Sequence, residues 1–107
     1  MSVVTKGLII GEREGNTAEA FSVKNKFTNE EMAKVAKATE KEVREAITVA
    51  EQTFKNDTIT PYERYEKLLK TAQLIKERKE TIAETLVGEV GKTIREARGE
   101  VDRAIQT

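Results

Sequence analysis

From Thr60 onward apolar residues recur every three or four positions, and this periodicity organises the chain. Tyr65, Leu68, Leu69, Ala72, Ile75, Ile82, Ala83, Leu86 and Val90 share one stripe, while Lys70, Glu77, Lys79 and Glu84 fall on other faces. The spacing predicts one long helix with a stripe built to be buried. Its start is marked by Thr60 as N-cap, Pro61 at the first helical position and Glu63 within reach of the cap N–H. Gly88 and Gly91 weaken and end it. Thr93 and Glu96 then repeat the capping spacing ahead of Ile94, Ala97, Val101, Ala104 and Ile105, which predicts a further helix.

Upstream the same grammar appears once more. Thr39 with Glu42 opens a helix whose one face carries Val43, Ala46, Ile47, Ala50 and Phe54, and which ends near Asn56-Asp57. Before Thr39 the period changes. Leu8, Ile9 and Ile10 form a short apolar run between two glycines, Gly15-Asn16 is a turn pair, and Phe21 and Val23 alternate with Ser22 and Lys24. These residues predict a strand, a turn and a returning strand of one hairpin. Asn25 to Glu31 reads as a polar loop, and Met32 to Ala36 as a third strand; residues 1–5 carry no strong signal. The fold class is α+β, a small N-terminal β-hairpin or sheet plus three main α-helices. It divides into a hairpin and strand region, 1–38, and a helical region, 39–107, of a single incomplete domain.

Composition narrows the chemistry. Nineteen basic and nineteen acidic side chains cancel, so no net field favours nucleic acid or an anionic membrane. No apolar run approaches a membrane span and no secretory leader is visible, so the chain reads as soluble and cytoplasmic. It has no cysteine and no histidine, which removes thiol nucleophiles, disulfides, Cys or His zinc sites and a histidine base. Its many Glu and Lys are spread at helical surface spacing, without a compact catalytic or metal-binding cluster.

Four patterns invite a sharper reading. Gly88-Glu-Val-Gly91-Lys92-Thr93 ends like a phosphate-binding loop, but Leu86 stands where that loop needs its first glycine, and a helix rather than a strand precedes it. Helix-stop glycines are the simpler account. The run Lys76 to Glu80 alternates in sign and reads as a solvated helix face. Tyr62 and Tyr65 sit at helical spacing beside Leu68 and Leu69, which favours core or interface packing over ligand stacking. Arg98 and Arg103 flank Glu100 and Asp102, so local ion pairs are the plain expectation for both.

The ordered set FSVKNKFTNEEMAKVAKATEKEVREAITVAEQTF, Arg64 with Leu68, Glu89-Val-Gly91-Lys92 and Glu96-Ala-Arg-Gly-Glu-Val101 resembles the N-terminal part of NAD(P)-dependent aldehyde dehydrogenases. The likeness runs from about Lys6 to Thr107. Lys26 and Asn29 replace the family's usual proline and glycine; Asn tolerates the left-handed conformation, so the loop should be retained.

The resemblance implies that the chain is the N-terminal fragment of an oxidoreductase with the α/β aldehyde dehydrogenase fold, its helices packing on a Rossmann-like domain. The complete enzyme would oxidise a small-molecule aldehyde to an acid with NAD or NADP, using a cysteine nucleophile and a glutamate base, and would assemble as a homo-oligomer. The family's catalytic and cofactor-contacting residues lie beyond the point matching Thr107. No catalytic residue, cofactor or metal is therefore expected on this chain, which alone should be inactive. One residue carries over: in the branch most similar around Glu100-Val-Asp-Arg103, which includes enzymes of anionic aldehydes, the arginine lies by the substrate entrance. Arg103 is thus the substrate-binding candidate, suited to a forked hydrogen bond with an anion. The alternative reading is a stand-alone helical interaction module that binds a protein through its second-helix stripe.

Overall fold

The computed structural model describes residues 3–107. Five short strands precede four helices: β1 Val4–Lys6, β2 Leu8–Ile10, β3 Arg13–Gly15, β4 Ala20–Lys24, β5 Glu31–Ala36, α1 Glu40–Asn56, α2 Pro61–Glu77, α3 Lys79–Val90 and α4 Ile94–Gln106. The described residues form two compact units, one built from the residues up to Lys24 with Glu30–Thr58, the other from Asn25–Asn29 with Ile59–Thr107.

The first unit holds the strands and α1. Its three-stranded sheet has the order β1-β5-β4, with β4 antiparallel to β5 (Phe21 opposite Val35) and β1 parallel to it (Val4 opposite Ala33). β2 and β3 form a separate hairpin with Ile10 opposite Arg13. The predicted hairpin is therefore wrong in its partner. Leu8–Ile10 turns back at once through Gly11-Glu12, because Gly11 at φ +61° supplies the backbone that a two-residue loop requires. The Phe21–Val23 strand pairs instead with β5, the predicted third strand. β1 escaped the sequence reading because three residues in a parallel pairing carry no alternation of their own. The predicted α1 cap is present, with the Glu42 carboxylate accepting from the Thr39 N–H at 2.6 Å and from its hydroxyl.

In the second unit α2 starts as predicted: Thr60 accepts from the Glu63 N–H at 3.2 Å and Glu63 accepts from the Thr60 N–H at 2.7 Å. The long helix expected from Thr60 to Val90 is two helices, so the described residues form four helices rather than three. The break is at Arg78, whose φ of −103° and ψ of 15° leave the helical region. No glycine or proline marks it. Beyond it Lys79 and Glu80 pair with Asp102 and Arg98 of α4, and Ala83 is fully buried against Ala97 and Val101, so tertiary packing turns the chain. α3 ends at Gly91, which takes the left-handed conformation at φ +80°. One of its last carbonyls, that of Gly88, accepts from the Lys26 N–H at 3.0 Å. In the same loop Asn29 adopts φ +62°, the left-handed conformation that an asparagine tolerates.

The core of the second unit is narrow. Ala83, Ala97 and Val101 are its buried centre, flanked by Ile75, Ile82, Leu86, Val87 and Ile105. Much of the predicted α2 stripe remains uncovered, with Leu68 70% exposed and Leu69 56% exposed.

Candidate functional site

α4 carries the sequence candidate and begins with a reciprocal cap. Thr93 accepts from the Glu96 N–H at 3.3 Å, and Glu96 accepts from the Thr93 N–H at 3.1 Å. The same carboxylate accepts from the Thr93 hydroxyl at 2.9 Å, and its bonds from the Thr93 N–H and hydroxyl hold it below the usual carboxylate range, the backbone N–H being the larger cause. The apolar face of α4 packs Ala97 and Val101 against Ala83, and Arg98 and Asp102, one turn apart on the same side of the helix, reach back to α3 through two ion pairs. Lys79 contacts Asp102 at 2.6 Å, and Arg98 grips Glu80 with Nε to Oε1 at 3.1 Å and Nη2 to Oε2 at 2.9 Å. Arg98 is thus paired between helices rather than with its sequence neighbours Glu100 and Asp102, because Glu80 lies directly across the α3–α4 contact.

Arg103 stands on the last turn of α4, 70% exposed, with Nη2 donating to Glu100 Oε2 at 2.5 Å. The other oxygen of the same carboxylate accepts from Lys92 Nζ at 2.9 Å. Lys92, Glu100 and Arg103 therefore form a cation–anion–cation row that begins just after the left-handed Gly91. The two cations hold the Glu100 carboxyl below the usual range, the bond from Lys92 contributing most. Lys92 and Glu100 sit on the rim of an open groove of about 410 Å³ lined by Ile75, Ile82, Leu86 and Val90. The pairing of Glu100 with Arg103 was readable from their three-residue separation; the junction with Lys92, eight residues away across a helix start, was not.

The Gly88–Thr93 stretch does not form a phosphate cradle. Gly88 lies within α3, Lys92 is engaged by Glu100, and the carboxylate of Glu96 already occupies the N-terminus of α4. These residues do not fit a dinucleotide. Among the described residues no group of acidic side chains has the geometry for a metal ion, and no helix is long and apolar enough to cross a membrane. Tyr62 and Tyr65 stack at an angle, centroids 6.1 Å apart, and both remain exposed, so they lie outside the core of this unit.

The sequence model of the aldehyde dehydrogenase family matches residues 13–107. The chain is 46% identical over 101 residues to a 3-sulfolactaldehyde dehydrogenase of Priestia aryabhattai, an alignment covering 94% of this chain and 21% of that protein. Among solved structures, aldehyde dehydrogenase 21 of Physcomitrella patens, in complex with its reaction product succinate, superposes with a TM-score of 0.91 at 34% identity over 99% of this chain and 22% of its own. An NAD-dependent aldehyde dehydrogenase of Sinorhizobium meliloti gives 0.83 at 26% identity, covering 94% of this chain and 21% of its own. The chain spans about a fifth of the length of the curated relatives it matches.

Proposed function

This chain belongs to the aldehyde dehydrogenase family, and we propose that it is the N-terminal segment of an enzyme that oxidises an anionic small aldehyde to its acid with NAD or NADP. The observation that carries the reading is the 46% identity over 94% of the chain to a 3-sulfolactaldehyde dehydrogenase. The succinate product in the Physcomitrella patens structure supports the same substrate character, a small aldehyde bearing a second acidic group. Arg103 supplies the cation: it lies at an exposed helix end and has donors beyond the one given to Glu100. Dinucleotide binding and the chemical steps belong to the remainder of the enzyme, and none is assigned to these residues. The helical region 39–107 packs on that remainder, which accounts for the uncovered faces of α1 and α2, where Phe54 is 87% exposed and Leu68 70%. The enzyme acts in the cytoplasm as a homo-oligomer.

Substrate profiling of the complete protein tests this. The expected result is reduction of NAD or NADP by 3-sulfolactaldehyde or succinic semialdehyde, with Arg103→Ala raising KM for those and sparing propanal. Equal losses on charged and neutral aldehydes would remove Arg103 from the substrate's path.

A further inference from the structure

We infer that Glu100 is a positioning residue for Arg103, and that Lys92 fixes Glu100 in turn. The inference deepens the proposed function and rests on Arg103 meeting the substrate's anionic group. Three observations support it. First, the two oxygens of Glu100 are divided between two cations, Oε1 to Lys92 and Oε2 to Arg103, so the carboxylate cannot turn away from one without releasing the other. Second, Glu100 engages Arg103 through Nη2 alone, which leaves the N–H groups of Nη1 and Nε to donate to a carboxylate or sulfonate. Third, Lys92 is itself placed by fixed backbone, between the left-handed Gly91 and the N-cap Thr93.

The physical need is plain. An arginine at 70% exposure spans many rotamers, and each must be given up when a ligand binds. A partner that already restricts the side chain lowers that cost at binding. The row carries two positive charges and one negative, so a net positive charge remains for the incoming anion. An exposed pair is worth little as an isolated bridge, so its effect should be modest and confined to ligands that use the guanidinium.

The test uses the complete enzyme with 3-sulfolactaldehyde and succinic semialdehyde as anionic probes and propanal as the neutral one. Glu100→Gln should lower kcat/KM for the anionic aldehydes relative to propanal about three- to fivefold, through KM. Glu100→Asp should restore part of it, and Lys92→Met should give a smaller loss of the same kind. In an Arg103→Ala background, Glu100→Gln should add nothing, since the two residues act through one contact. If Arg103→Ala is selective for anionic substrates while Glu100→Gln leaves or improves their KM, the positioning role is overturned and the Arg103 reading stands. Additive losses in the double variant would also overturn it. If Arg103→Ala shows no selectivity, or the anionic aldehydes are not turned over, both fall together. Should Glu100→Gln prove unstable, Lys92→Met decides the matter alone by the same ratio.

Discussion

Arg98 and Glu80 face each other across the α3–α4 contact with two parallel hydrogen bonds, at 3.1 and 2.9 Å, so one guanidinium edge clasps one carboxylate. Each group favours the other's charged form: the bond from Arg98 holds Glu80 below the usual carboxylate range, and that to Glu80 raises Arg98. Both side chains remain about half exposed, so salt screens the pair. Arg98→Lys should therefore lower the thermal midpoint slightly, because an ammonium cannot reproduce the fork, and the difference from the parent should shrink at high salt. Melting curves at two salt concentrations check this; a difference that grows with salt would contradict it.

Ala83 and Ala97 are both 0% exposed and meet Val101 at the centre of the same contact. Their small size is what lets α3 and α4 approach. Ala97→Leu should cost about 1–3 kcal/mol by overpacking. Val101→Ala should cost about 2–3 kcal/mol, from two lost methyl groups and the space they leave. Denaturant unfolding of both variants measures these costs, and a neutral Ala97→Leu would mean the helices are not held this close.

Gly91 combines a left-handed backbone at φ +80° with a tight neighbour, since an added Cβ would stand 3.2 Å from the Cβ of Lys26. Gly91→Ala should be destabilising by about 1–2 kcal/mol. It should also disturb the hydrogen bond from Lys26 N–H to the Gly88 carbonyl. Faster amide exchange at Lys26 in the variant is the specific sign, and unaltered exchange would argue against the coupling.

Three helices begin with a threonine and a glutamate three residues on, and in each the carboxyl is held below its ordinary value. For Glu63 and Glu96 the backbone N–H of the capping threonine is the larger cause, and for Glu42 the Thr39 hydroxyl is. A carboxyl that binds its proton less readily when folded contributes stability that is fully present above its unfolded value, about 4.3, and lost as pH falls through the lower folded one. The caps should hold at neutral pH and fail on acidification. NMR titration of the Glu96 side chain should give a midpoint below that of an unstructured glutamate, and Thr93→Val should move it back up. An ordinary midpoint in the parent would contradict the cap.

The same threonine–glutamate pairs explain why so much of the helical part was legible in the sequence. Caps are local, and a threonine three residues before a glutamate says where a helix starts whatever surrounds it. Asn29 was legible for a similar reason, since few side chains accept its backbone conformation. The break at Arg78 was not, because it answers to Lys79–Asp102 and Glu80–Arg98 pairs 23 and 18 residues apart in sequence. Strand partners failed likewise: alternation at Phe21 and Val23 marks a strand but does not say which neighbour it will take, and the Gly11 turn decided that. At the candidate site, Arg103 came from resemblance, whereas the Lys92 contact that anchors Glu100 exists only in three dimensions.

The most direct test of the central claim is to assay the complete protein encoded by the reading frame that contains these residues, following reduction of NAD and of NADP with 3-sulfolactaldehyde. The account predicts turnover that depends on a cysteine supplied outside these residues, together with a selective KM defect on anionic aldehydes in Arg103→Ala. A complete protein that reduces neither cofactor with charged or neutral aldehydes would contradict it.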